Sequence, residues 1–300
     1  MSEQKNHFLS VLIVSIGGFL GFEALSLIIG LYQPEIYLKV AFWVYIFHVC
    51  WLTLMFDLHY KKRGILASLK LTHSGWRLIG RAFLERFEHI KKWEYLRHFQ
   101  NYLILPGIIY WSVVVMLFLN PFRQVVKQLI VVFASLGLTV AYWYFKKVFS
   151  KQMESHELWI KILGLVKIFA AFYVFAGCLG LAWYFNLGGI IVWSVIFSLS
   201  FLLLYQALFQ HRLLNFNILL LSVLISGFVG VVAAMVYNFW ETNYLTGGMV
   251  VLAVYNSLWG ILHHHLDRTL TKKLAMEYTL IMFLAVSILL ASHDFGAKVI

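Results

Sequence analysis

The sequence predicts an all-α protein: a polytopic bundle of about nine transmembrane helices with one amphipathic helix on the cytoplasmic face. Three observations carry that expectation. Of 300 residues, 62% are hydrophobic and 12% charged, whereas a water-soluble domain carries about a quarter charged residues and under half apolar ones. The mean hydropathy is +0.81. The apolar residues also gather into runs of about 20, the length a helix needs to cross the hydrocarbon layer.

The runs can be taken in order. The first, about 8–32, is too long for a cleaved signal peptide, carries Glu23 and has no small-residue cleavage site. "QPEIY" (33–37) then turns the chain straight into a second run at 38–58. After a long polar stretch come runs at 103–120, 125–146, 158–185, 188–210, 214–240, 246–265 and 273–292. Links as short as "NLGG" (186–189) force antiparallel neighbours. Pro34, Pro106 and Pro121 fall at or near the expected helix ends, where proline does least harm. There is no internal repeat or low-complexity tract, so residues 1–300 read as a single transmembrane domain. Cys50 and Cys178 lie in apolar helices and read as small core residues, not as a disulfide or metal motif.

Within that domain, residues 59–102 form a basic cytoplasmic segment. Trp76, Ile79, Phe83, Phe87, Ile90 and Trp93 recur at three- and four-residue steps, with Arg77, Arg81, Arg86, Lys91 and Lys92 between them. That is the pattern of a helix lying in the membrane interface with its basic face toward anionic headgroups.

The net charge of +11 could point to nucleic acid, but its placement argues against that. With the N-terminus inside, nineteen of the 24 Lys and Arg fall on the cytoplasmic side, while Lys39, Arg123, Lys127 and Lys298 fall outside. The positive-inside bias accounts for the charge. The sequence thus implies an integral membrane protein, of a bacterial inner membrane by its compact loops, with its C-terminus outside. Membrane lipids with anionic headgroups are the expected partners, together with a second copy or another membrane subunit; nucleic acid is not one.

Ionisable groups inside spans are costly, and each is a candidate for function. Glu23 and His48 both lie about 15 Å from the outer edge by helical rise, on helices joined by a tight turn. A carboxylate beside an imidazole stabilises the charged form of each, so the two read as a substrate- or proton-exchanging pair. Gly17 and Gly21 give the first helix a GxxxG spacing that permits close helix contact.

The second candidate is "LWGILHHHLDRTLTKK" (258–273). At 100° per residue, Asn256, Gly260, His263 and Asp267 share a narrow arc of the eighth span, His264 lies to one side, and His265 points away. His263, His264 and Asp267 read as metal ligands, with Gly260 leaving room for a ligand against the backbone. Imidazole and carboxylate together suit zinc or non-haem iron. Asp57 and His59 where the second span ends, and Glu277 early in the ninth, are expected on the same face as catalytic groups. The HxxxH, HxxHH and HExxH spacings of familiar membrane metalloenzymes and metalloproteases are absent from the chain.

Three kinds of function follow. The leading expectation is a membrane-embedded enzyme acting on a lipid or other hydrophobic substrate at the cytoplasmic leaflet, with a His/Asp centre. The second is a small-solute or proton-coupled transporter or channel using Glu23 and His48. The third is a structural or sensory membrane subunit in which the polar groups only hold helices together.

Overall fold

The computed structural model describes residues 2–29, 31, 33–60, 73–90, 93–119, 124–149, 157–210, 216–240 and 243–291. For some residues within the helices, Asp57 and His59 among them, it describes the backbone alone. Among the described residues all regular structure is helical. Seven helices are long and apolar enough to cross a membrane. The chain is a helical membrane protein, and by its contacts it divides into two compact units, Met1–Val166 and Lys167–Ile300.

In the first unit, α1 (Ser2–Ile28), α2 (Pro34–Tyr60), α4 (Trp93–Leu119) and α5 (Gln124–Phe149) close a four-helix ring, while α3 (His73–Ile90) packs on α2 and α4. Around the ring α1 touches α2, α2 touches α4, α4 touches α5, and α5 returns to α1. The polar contacts show neighbours running antiparallel. Tyr37 of α2 donates its hydroxyl to Val114 O of α4 at 3.2 Å, and Tyr110 of α4 donates back to Ala41 O of α2 at 2.6 Å. Between α1 and α5, Ser15 and Thr139 share a hydrogen bond of 2.9 Å.

The helix α4 lies deepest. From Leu105 to Leu119 every side chain is buried except Trp111 and Phe118, which are half-buried. A helix apolar on all sides can be buried on all sides. Its start differs from expectation, because Pro106 lies inside the helix rather than at its end. Residues 93–102, expected to belong to the cytoplasmic segment, are helix continuous with the buried stretch. Proline has no N–H for the carbonyl four residues back, and the packing around Leu105–Leu119 holds the helix through that gap.

The close approach of α1 to its neighbours uses Gly17 of the expected pair together with Gly18, in place of Gly21. A Cβ on Gly18 would lie 2.9 Å from Leu138 Cδ2 of α5, and one on Gly17 would lie 3.3 Å from Trp51 Nε1 of α2. Gly21 has nothing within 4 Å of that position, so the GxxxG spacing is not the contact. In α3, Trp76, Arg77 and Arg81 are exposed and Ile79 is half-buried. The side chains of Phe83, Phe87, Ile90 and Trp93, and of Arg86, Lys91 and Lys92 between them, lie outside the described residues.

The second unit takes in α6 (Glu157–Tyr184) from Lys167 onward, α7 (Gly189–Gln210), α8 (Phe216–Phe239), α9 (Tyr244–Leu266) and α10 (Lys272–Ala291). Small buried residues recur along α8 at Ser222, Ser226, Gly230 and Ala233, which lets backbones come close where no hydrophobic effect drives helices together. The two serines return their hydroxyls to their own helix, at Ile218 O and Ser222 O. Trp193 of α7 seats over Gly230 and begins a ladder of rings, Trp193, Phe197, Phe201 and Tyr205, spaced 5.4, 6.4 and 6.2 Å along the helix. Between α6 and α9 the backbones meet at Ala176 and Gly248, with Phe175 edge-on to Tyr255. Between α6 and α7 the chain reverses at Asn186, which takes a left-handed φ of 50°. Leu187 N–H donates to Ala182 O and Asn186 N–H to Trp183 O, the two bonds of a Schellman end. The Tyr237 hydroxyl of α8 then caps Ala182 O and Leu187 O.

Two glycines give opposite expectations. A Cβ on Gly248 would come within 2.6 Å of Ala176 Cα and 2.8 Å of its N, backbone atoms that cannot step aside. Gly248→Ala is expected to destabilise the protein by about 1–3 kcal/mol. Gly227 has nothing within 4 Å, so Gly227→Ala is expected to leave stability unchanged or raise it by up to about 1 kcal/mol. Denaturation of both variants in the same detergent measures the difference. In that assay Tyr110→Phe, which removes the donor to Ala41 O, is expected to cost about 1–2 kcal/mol.

Candidate functional site

Polar side chains gather at two places, one in each unit. In the second unit the place is the end of α9. Its last turn is His263–His264–His265–Leu266, and Asp267 follows as the cap residue. Arg268 then takes a left-handed φ of 57°. Thr269 N–H donates to His264 O at 2.9 Å and Arg268 N–H to His265 O at 3.2 Å. These are again the two bonds of a Schellman end, built here on an arginine where glycine or asparagine is usual. The turn carries the chain directly to Thr271, whose hydroxyl accepts from Leu274 N–H at the start of α10.

This geometry separates the three expected metal ligands. His263 Nδ1 lies 3.3 Å from Asp267 Oδ2, one helical turn on, with both side chains partly exposed. His264 Nδ1 instead shares a hydrogen bond of 2.9 Å with Thr269 Oγ1. The two imidazoles stand edge to face, 5.9 Å apart. Trp259 packs edge-on below His263 at 5.5 Å, and Tyr278 of α10 lies 5.8 Å from His264. His265 is exposed on the far side of the helix. Among the described residues no three His, Cys, Asp or Glu side chains form a group able to hold a metal ion. What the turn provides is two adjacent imidazoles, each with Nδ1 held by a local side chain. A partner at one ring nitrogen is what fixes tautomer and orientation for work at the other.

The space expected beside Gly260 is filled. A Cβ there would meet the ring of Tyr278, with Cζ at 2.7 Å. The glycine thus admits a tyrosine from α10 against the α9 backbone, not a ligand. Asn256 is half-buried farther up α9, and Glu277 is exposed on α10. The side chains of Asp57 and His59, expected to join this face, lie outside the described residues.

The second place is inside the four-helix ring. Glu23 and His48 do not form the pair expected of them. Gln128 of α5 donates its Nε2–H to both carboxylate oxygens of Glu23, at 2.8 and 2.9 Å. The helices place this bond only a turn or so from the ends of α1 and α5, shallower than the midplane inferred from sequence. The ring of His48 stacks on Tyr110 at 5.5 Å and 28°, with Phe22 at 6.4 Å. Its Nε2 is buried and has no hydrogen-bond partner among the described residues.

Sequence reasoning missed Gln128, Thr269 and Tyr278. Gln128 was visible as an amide at the start of an apolar run, but nothing local tied it to a residue 105 positions earlier. Thr269 follows His264 by five residues, a reach that only the left-handed turn at Arg268 allows. Tyr278 reaches its glycine because α10 folds back along α9.

No curated protein and no solved structure shows a significant match to the chain. Residues 71–292 match the family described as "Protein of unknown function (DUF5656)". The matched stretch opens just before α3 and closes at the end of α10, so it includes the whole α9–α10 turn along with Tyr110 and Gln128. Glu23 and His48, on α1 and α2, lie outside it. Because the match takes in well over half of the 300 residues, the chain belongs to that family, DUF5656.

Proposed function

We propose that the chain is a membrane-embedded enzyme acting on an amphiphile with an anionic head, and that its chemistry sits where α9 turns into α10. One observation supports this above the others: two neighbouring imidazoles at the end of an apolar helix, with Nδ1 of each held by Asp267 or Thr269. A histidine so oriented suits general acid–base work. In this reading Asp267 positions His263 and Thr269 positions His264. Trp259 and Tyr278 line the apolar side, while Arg268, Lys272 and Lys273, all exposed, favour an anionic headgroup.

Counting α4 and α10 with the seven long apolar helices gives nine spans. The reading then puts the N-terminus and the α9–α10 turn on the cytoplasmic side and the C-terminus outside, in a bacterial inner membrane. Zinc or non-haem iron is the metal such donors would suit, though with Asp267 turned to His263 the acid–base role needs none.

Lipid mass spectrometry of cells making either the wild-type protein or His264→Ala tests the reading. A lipid that accumulates in the variant and its product that disappears are expected, with Thr269→Val showing a smaller change in the same two species. Identical lipid profiles at equal membrane levels of folded protein would overturn it. Elemental analysis of the purified protein beside His263→Ala/His264→Ala/Asp267→Ala decides the metal: stoichiometric zinc or iron lost in the variant would add a metal to the mechanism.

A further inference from the structure

The four-helix ring holds a polar group that the α9–α10 reading does not use. His48 sits near the middle of α2, its Nε2 buried with no hydrogen-bond partner among the described residues. An unpaired polar atom in a membrane interior costs free energy that a leucine or phenylalanine would avoid. The imidazole is packed between Tyr110 of α4 and Phe22 of α1, and the residue after Phe22 is Glu23. Among the described residues that carboxylate is held by Gln128, an uncharged amide that reaches both of its oxygens.

Among the described side chains of the first unit the carboxylates are Glu23, next to the Phe22 that touches the imidazole, and Glu35, in the first turn of α2 and far along that helix from His48. From α4, Tyr110 faces the imidazole, and its hydroxyl is already donated to Ala41 O. On α2 itself, Tyr45 packs its ring against Tyr110 and Trp111. From α5 come neutral Gln128 and, next to it in the chain, Lys127, which would repel an imidazolium. Glu23 is the acidic group that α1 brings.

We propose that His48 is a proton-binding position inside the first unit, and that Glu23 exchanges Gln128 for the imidazolium when the proton arrives. The proton comes from water at a membrane face, and the new N–H bond on the imidazole is the only covalent change. A hydrogen bond between two ions is stronger than one between an ion and a neutral amide, so the exchange runs toward His48 once it is charged. One carboxylate with two alternative partners, on α5 and on α2, links protonation to the seating of α1 between them. The inference is independent of the enzyme reading, whose residues lie in the other unit.

Infrared difference spectra of the protein in bilayers, recorded between neutral and acid pH, test the exchange. Acidification should shift a carboxylate band that is lost in Glu23→Gln and equally lost in His48→Phe. A wild-type spectrum without that band, or a band that survives in His48→Phe, would overturn the proposal. If either variant fails to fold, NMR of the wild type with 15N-labelled histidine decides. One imidazole that exchanges slowly with water and gains a second ring proton on acidification is expected; a slowly exchanging imidazole that stays neutral throughout the acid range would overturn it.

Discussion

Away from water, every hydroxyl and amide between these helices must find its partner within the chain, and tyrosine hydroxyls placed on backbone carbonyls are the main answer. A helical carbonyl already accepts one N–H, and its second lone pair can take another donor. Tyr37 and Tyr110 use that capacity in both directions, each helix of the α2–α4 pair lending a hydroxyl to the other's backbone. The pair fixes the register of two otherwise apolar surfaces without burying a charge. Tyr142 makes a longer contact of the same kind with Met55 O, and Tyr237 closes the end of α6. An aromatic share of 18% in so hydrophobic a chain thus has a structural use, because tyrosine combines apolar area with one well-placed donor.

The smaller polar residues follow the same constraint more locally. Ser112, Ser135, Thr139, Ser222 and Ser226 each donate to the carbonyl four residues back. Against that background the groups left without a partner among the described residues are conspicuous. Besides His48 they include the hydroxyls of Thr53 and Ser200 and both polar atoms of Gln206. Gln206 is fully enclosed in α7. His48 differs in being ionisable and in lying next to a helix that carries a carboxylate.

Helix positions were legible in the sequence because length and hydropathy act locally: each expected span coincides with a helix or with most of one. What was not legible depended on residues far apart in the chain. The GxxxG spacing on α1 was real as a pattern, yet only the helix opposite decides which glycine is used, and Leu138 chooses Gly18. Glu23 and His48 were paired because their helices are adjacent, but α5 arrives with an amide aimed at the carboxylate. At the α9 terminus the angular argument correctly joined His263 to Asp267 and set His265 apart. It could not foresee Thr269, because a left-handed arginine breaks the helical projection on which the argument relied. The space that Gly260 leaves on its own helix is taken by Tyr278 of the neighbouring one.

The two units also differ in how soon their contacts can form as the chain is made. The α9–α10 hairpin joins helices adjacent in sequence through a turn that needs only its own residues, so it can assemble as soon as both have left the ribosome. The first helix has no such early partner on α5: its hydrogen bonds there span 124 and 105 residues. Until α5 is synthesised, α1 must stay in the bilayer with Glu23 lacking the amide that will hold it, beside α2 and then α4. Insertion of this protein therefore includes an interval in which a carboxylate near one membrane face is without its final partner. The glycine surface of α1 is likewise uncovered toward α5 during that interval.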